Sequence, residues 1–337
     1  MTTAATLLKS LLNGRDLTIA QARWAMGRIV AGEATDVQTA ALLTALRAKG
    51  ETATEVAGFV EALQISCVRV DVPGVTADLA GTGGDGTGAI NISTMAAIVA
   101  AATGVTMVKH GGRASSSTTA GAADLVEELG VTLTPEDPAR VAAEAGITLL
   151  FAPRYNPGLR HAAAVRRELG VPTVFNVLGP LINPAMPRYQ VVGVADARMA
   201  PVIAGALAAG GRRALVVRGD DGLDKLTTTT TSKVWTVRDG SVRTAVLDPR
   251  ALGLTPATPA QLRGGDAAAN ALVLHALLAG QRGPVRDVVL LNAAAVLVAV
   301  AGSDEPLTDQ FAAAVARCAE AIDTGAAQAT LERWIRS

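Results

Sequence analysis

The hydrophobic periodicity of this chain changes character at Val72-Pro73-Gly74, and that change restricts the fold more than any other feature. Before it, apolar residues recur at helical spacing, through Ala22, Met26, Ile29 and Val30 and again through Ala40, Leu43 and Leu46. Thr18-Ile-Ala-Gln21 and Thr52-Ala-Thr-Glu55 fit capping boxes, in which a hydroxyl and a side-chain acceptor satisfy orphan N–H groups at a helix start. Gly14, Gly32 and Gly50 stand where helices should stop. After the change, short β-branched runs alternate with Ala-rich stretches. The pattern predicts strands over 77–80, 106–109, 148–151, 189–194 and 214–218, and helices over 93–103, 120–129, 138–145 and 200–209. Residues 234–238 and 242–247 meet through Asp239-Gly240, a hairpin signature. Residues 258–337 return to helix, although the apolar stretch at 288–291 also admits a strand. The implied fold class is α/β. A small all-helical domain spans 1–72, and a larger α/β domain spans 73–337 with a mostly parallel sheet flanked by helices.

A length of 337 residues suits two domains, and a chain half apolar and only 18% charged can bury a sizeable core. This excludes a disordered chain. Aromatics make up only 3%, so that core must be built from Ala, Val, Leu and Ile. The 30 basic and 30 acidic side chains balance, so anion binding has to be local. No overall field draws the chain to nucleic acid or an acidic membrane. Cys67 and Cys318 are too few for a metal cluster or a disulfide framework and read as isolated thiols. The first residues lack a basic stretch followed by an apolar one, and the most apolar run, 288–301, contains Asn292 and is short for a bilayer. A cytoplasmic protein without membrane or nucleic-acid partners is the expectation.

Chemistry can sit at four segments. Gly81-Thr-Gly-Gly-Asp-Gly86 follows a predicted strand and leads through Asn91-Ile-Ser-Thr94 into a helix. Such a run lets backbone N–H groups approach an anion, and the helix start adds partial positive charge. Its spacing is neither that of the dinucleotide fingerprint nor that of the P-loop. The next strand ends in Lys109-His-Gly-Gly-Arg113, followed by Ser115-Ser-Ser117, a basic and hydroxyl-rich loop of the kind that neutralises phosphate. Gly219-Asp-Asp-Gly-Leu-Asp224 offers carboxylates at a strand end, suited to magnesium, which uses one or two carboxylates plus substrate phosphates. Pro153-Arg-Tyr-Asn-Pro-Gly-Leu-Arg160 leads into a helix with Arg166 and Arg167, where an arginine can grip an acidic substrate. Each segment alone also reads as an ordinary turn or solvated face. The threonine run 227–231 is given no chemistry.

In this order and spacing the segments resemble the anthranilate phosphoribosyltransferases, members of the nucleoside-phosphorylase-like phosphoribosyltransferases. The likeness covers nearly the whole chain and extends to Val165-Arg-Arg-Glu-Leu-Gly170 and Phe175-Asn-Val-Leu-Gly-Pro-Leu-Ile-Asn-Pro184. It implies a cleft between the two domains, with residues 160–183 contributing to the helical one. It implies transfer from 5-phosphoribosyl 1-pyrophosphate (PRPP) to the amine of anthranilate, a step of tryptophan biosynthesis, with Mg2+ as cofactor. It also implies a homodimer through the helical domain. By the same resemblance Gly81, Gly83, Gly84, Asp85, Asn91, Ser93, Thr94, Lys109 and Ser116 match PRPP-binding positions. Ser93 and Asp224 match metal ligands. His110, Gly112, Asn156, Leu159 and Arg166 match the acceptor side.

Four positions depart from the family pattern. Gly112 stands for Asn, Asn156 for His, Lys225 for Glu, and Leu159 where an aromatic is common. The acceptor pocket loses an amide and an imidazole, and a charge is reversed beside the metal position, so fewer ions than the family norm are expected. Three further readings stay open at this point. One is a divergent paralogue acting on a different aromatic acid in secondary metabolism. Another is a nucleoside-phosphorylase-type enzyme, and the third is a non-catalytic nucleic-acid-binding paralogue.

Overall fold

The computed structural model describes every residue except 114–118. The chain opens with four helices: α1 (Ala4–Leu12), α2 (Ile19–Val30), α3 (Asp36–Lys49) and α4 (Ala53–Ser66). Each starts at a threonine whose hydroxyl accepts a backbone N–H within the first turn. The boxes of Thr18 with Gln21 and Thr52 with Glu55 are present as the spacing predicts, and Thr3 and Thr35 begin helices in the same way. Leu7, Leu11, Met26, Ile29, Leu43, Leu46, Phe59 and Leu63 form the interior of this bundle.

The alternating region follows as β1 (Thr76–Gly81), α5 (Ile92–Ala102), β2 (Thr106–Gly111), α6 (Ala122–Glu128), α7 (Pro138–Ala145) and β3 (Ile147–Phe151). Short helices α8 (Ala152–Tyr155), α9 (Ala163–Leu169) and α10 (Phe175–Leu178) come next, then β4 (Tyr189–Gly193), α11 (Met199–Ala209) and β5 (Arg213–Gly219). The hairpin is β6 (Ser232–Arg238) and β7 (Ser241–Leu247), and the chain closes with α12 (Ala267–Leu278), α13 (Pro284–Ala301), α14 (Leu307–Asp323) and α15 (Ala326–Arg336).

These strands make one sheet of order β3-β2-β1-β4-β5-β6-β7. The β3-to-β5 part is parallel, and β6 and β7 extend it in antiparallel fashion. The two-residue period of a strand sends alternate side chains to opposite faces. Val191, Leu215 and Val217 pack with α5 and α13, whereas Val192, Ala214 and Val216 pack with α11 and the N-terminal bundle. The second core also takes in Ala162, Val165, Val174 and Phe175 from the α9–α10 segment.

The strand reading at residues 288–291 is corrected: they lie inside α13. An unbroken run of its side chains, Val288 to Ala299, is buried, so burial goes all round the helix and leaves no amphipathic period. Its 18 residues, with mean hydropathy 1.8, are long and apolar enough to cross a membrane, but 72% of the stretch is buried within the fold. Burial rather than length therefore accounts for its composition.

Candidate active site

Four of the five parallel strands end in glycine: Gly81, Gly111, Gly193 and Gly219. Sheet order reverses between β1, whose crossover leads to β2 on one side, and β4 on the other. Open parallel sheets bind ligands outside such a switch point. A cleft of about 490 Å³ lies there, walled by the glycine loop, the start of α5, Gly112-Arg113 and Thr119-Ala-Gly121 between β2 and α6, the α9–α10 segment and Asp224-Lys225. A separate apolar groove of about 240 Å³ runs between α1, α2 and α3, past Leu8, Trp24, Val37 and Leu42. Its lining is mainly apolar; Arg28, which pairs with Glu33 at 3.8 Å, and Gln38 are the polar side chains along it.

In the loop, Gly83, Gly84 and Gly86 adopt φ of 70°, 76° and 69°. A Cβ at any of them would meet nothing within 4 Å, so glycine is required here by backbone angle and not by crowding. Asp85 closes the turn: its Oδ1 accepts the backbone N–H and the hydroxyl of Thr87, both at 2.9 Å. Ser93 and Thr94 sit in the first turn of α5, and their hydroxyls have no partner among the described residues. Asn91 donates from Nδ2 to the Ala120 carbonyl and accepts from Asn270 Nδ2, each at 2.7 Å. Asn270 is fully buried, and sequence reasoning missed it. The Gly264-Gly265-Asp266 turn before α12 was the available signal.

Lys109 is buried under this loop, and its Nζ donates to the Leu79 carbonyl at 2.8 Å. Burial pulls its pKa down to about 8; Asp78 opposes the shift and Lys225 adds to it. Asp78 is itself buried, accepting from the His110 N–H at 3.2 Å and from Asn183 Nδ2 at 2.9 Å. Asp224, 1% exposed, accepts the Gly83 N–H at 2.7 Å through Oδ2, and its Oδ1 is ion-paired with Lys225 Nζ. Burial acts to lower the Lys225 ammonium pKa, but Asp224 and Asp85 outweigh it and hold it above the ordinary lysine value. Asp220 and Asp221 turn away from the cleft. Thr227 and Thr229 hydroxyls donate to Asp221, and Thr231 donates to Asp220. The threonine run thus ties the turn that delivers Asp224.

On the other side stand His110, Gly112, Ala152, Leu159, Arg166, Phe175 and Asn176. Arg166 is half-buried with its guanidinium 5.3 Å from the Phe175 ring centroid, and no carboxylate among the described residues pairs with it. Burial lowers its pKa. Arg160 and Arg167 are exposed, and Arg113 is engaged by Asp124 at 2.9 Å and Glu127 at 2.8 Å. Asn156 does not line the cleft; it is buried behind His110. Ser116 lies outside the described residues.

Two families of sequence cover this architecture. The glycosyl transferase family, helical bundle domain, matches residues 5–67, and the glycosyl transferase family, a/b domain, matches residues 74–328. The anthranilate phosphoribosyltransferase of Streptomyces griseus is 56% identical over 332 residues, 98% of this chain and 93% of that protein. The crystal structure of the Thermus thermophilus anthranilate phosphoribosyltransferase superposes with TM-score 0.90 at 39% identity, covering 98% of each chain. The Saccharomyces cerevisiae enzyme in complex with PRPP and Mg superposes with TM-score 0.88 at 29% identity, covering 99% of this chain and 98% of that one.

Proposed function

The chain belongs to the anthranilate phosphoribosyltransferase family, and on that premise we propose how its cleft works. It is a phosphoribosyltransferase that moves the phosphoribosyl group of PRPP onto the amine of an aromatic acid, anthranilate, and releases pyrophosphate. The observation that carries the reading is one cleft with two unlike halves. One half is an anion cradle of glycine loop, hydroxyls at a helix start that have no partner among the described residues, and a buried lysine. The other half holds an unpaired arginine stacked on an aromatic ring.

PRPP lies along Gly81, Gly83, Gly84 and Asp85, with Asn91, Ser93, Thr94 and Lys109 around its phosphates and Ser116 beyond them. The C1–O bond to pyrophosphate breaks as the amine nitrogen bonds to C1, and the amine's proton passes to water. Negative charge grows on the leaving group, and in this reading the Lys109 ammonium and the N-terminus of α5 neutralise it. An aromatic amine needs no strong base. Arg166 takes the acceptor carboxylate by parallel charge-assisted hydrogen bonds, while Leu159, Phe175, His110 and the open floor at Gly112 surround the ring.

A bound magnesium ion would supply further charge neutralisation at the pyrophosphate. Ser93 and Asp224 would hold one such ion through their oxygens, since magnesium binds through one or two protein oxygens plus phosphates and water. Among the described residues no group of three or more His, Cys, Asp or Glu is gathered for a metal. The Lys225 ammonium stands on Asp224, and this favours fewer ions than two.

The division into a helical domain, 1–72 with 160–183, and an α/β domain, 73–337, belongs to the same reading. So does a cytoplasmic homodimer, which we place on the apolar groove of α1–α3, where Val37 is 78% exposed. A pyrophosphate-release assay with PRPP tests the function. Release that depends on anthranilate is expected. Release with no aromatic acid, or phosphorolysis of a nucleoside instead, would overturn it.

A further inference from the structure

We propose that Asn156 is a positioning residue that locks His110 as the neutral Nδ1–H tautomer, so that the histidine wall of the cleft neither accepts nor donates the reaction's proton. The proposal rests on the reading of the cleft as a phosphoribosyl-transfer site. His110 Nδ1 lies 3.0 Å from the Gly179 carbonyl oxygen. A carbonyl only accepts, so the proton sits on Nδ1. His110 Nε2 lies 3.1 Å from Asn156 Nδ2 and presents its lone pair to that amide N–H. The second N–H of the same amide points to the Ile182 carbonyl at 3.4 Å. Both ring nitrogens are therefore spent on the protein, and none is left for a substrate.

The amide's orientation is dictated by its surroundings. Turning it over would set Oδ1 against the Ile182 carbonyl oxygen and against Nε2, which would then need a second ring proton. As it stands, Asn156 Oδ1 is buried and has no partner among the described residues. A bare buried acceptor asks for a reason, and holding two acceptors at once supplies one.

Charged groups around the ring agree with a neutral state. Lys109 adjoins it on β2, and the Asp78 carboxylate on β1 is occupied by the His110 backbone N–H and Asn183. The facing strand β3 carries no titratable side chain. In α8, Arg154 donates to the Thr134 carbonyl, and Tyr155 is uncharged. Burial pulls the His110 pKa down to about 4, Lys109 adding to the shift and the Gly179 hydrogen bond opposing it.

The chain has only three histidines, so ¹⁵N-histidine NMR on the intact protein reads His110 directly. The expected signature is a protonated Nδ1 and an unprotonated Nε2 that stay unchanged from about pH 8 to about 5.5. An Nε2–H tautomer, or a titration near the ordinary histidine value, overturns the proposal without any variant being made. Asn156→Asp replaces the donor by an acceptor. In that variant Nε2 should become protonated at neutral pH, and kcat should fall about threefold: the imidazolium–carboxylate pair is neutral overall, but its positive end faces the cleft, where the amine's charge develops. The loss should recover as pH rises, with little change in KM for PRPP. An unaltered His110 spectrum in a folded Asn156→Asp protein also counts against the lock. If the unmodified protein turns over no anthranilate, the functional reading fails while the tautomer result stands.

Discussion

Gly193, the last residue of β4, lies directly beneath the main chain of Asp224: a Cβ added there would overlap the Asp224 carbonyl oxygen. Gly81 at the end of β1 also lies against Asp224, where an added Cβ would overlap the carboxylate oxygen. The two strand ends thus form a seat for the acidic residue of the cleft, and only glycine leaves room for it. Gly193→Ala should cost about 1–3 kcal/mol in stability, as overpacking of a tight contact does, and should weaken PRPP binding with it. Urea unfolding and calorimetry read both. Gly86→Ala is the contrast: with φ of 69° and open space around it, it should show only local backbone strain of about 1–2 kcal/mol. Equal, small effects at both positions would remove the seat from the argument.

Lys109→Ala should weaken PRPP binding by roughly 10- to 100-fold, the range of a charge-assisted hydrogen bond. The sign of the pH dependence follows from the pKa of about 8 that burial gives this lysine. The ammonium form binds the anion, so affinity should decline as pH rises through 8, and PRPP binding should take up protons there. Calorimetry in buffers of differing ionisation enthalpy measures that uptake. A wild-type affinity constant across pH 7 to 9 would remove Lys109 from the phosphate cradle.

Replacing Lys225 by Glu should raise both magnesium occupancy and magnesium dependence with PRPP bound. Without metal the variant should lose about 3–5 kcal/mol, the usual consequence of leaving a buried charge without its partner. Titration of metal by calorimetry, alongside unfolding with and without magnesium, checks both halves. Two fully occupied ions in the unmodified protein contradict this account of Lys225.

At Gly112 the nearest atom to an added Cβ is that of Ala152, 4.0 Å away. Gly112→Asn should therefore fold with little change in Tm and present an amide to the acceptor. An increase in kcat/KM for anthranilate is the expected outcome. No improvement would show that this position does not set acceptor choice.

Acid should destabilise the protein through His110. Its folded pKa of about 4 lies below the unfolded value of 6.5, so the neutral ring's contribution is complete above 6.5 and is lost as pH falls toward 4. A span of about 2.5 units corresponds to roughly 3 kcal/mol. Unfolding free energies at pH 7 and pH 4.5 for the wild type and His110→Phe measure it; the variant should lose distinctly less.

Periodicity and spacing carried the architecture of this protein a long way. The capping threonines, the helix-stopping glycines and the alternation after Val75 are local signals, each set by neighbours within a few residues. The ordered motifs of the glycine loop, Lys109, Arg166 and Asp224 likewise lie in short stretches that can be read one at a time. Within the helical reading of 258–337, the stretch 288–291 still admitted a strand, because a helix buried on all sides has no amphipathic period.

What the tertiary structure decided is which side chains meet. Asn156 adjoins the acceptor segment in sequence but packs behind His110, 46 positions away, and holds its tautomer. Asn270 steadies Asn91 from 179 positions away, and the threonine run turns Asp220 and Asp221 out of the cleft so that Asp224 alone enters it. Arg113, Arg160 and Arg167 look alike in sequence to Arg166, yet only Arg166 reaches the cleft without an acidic partner. These outcomes depend on contacts between strand ends and loops far apart along the chain. Hydrogen-bond direction and burial at those contacts follow from packing of the whole sheet, and no local pattern of residue types encodes them.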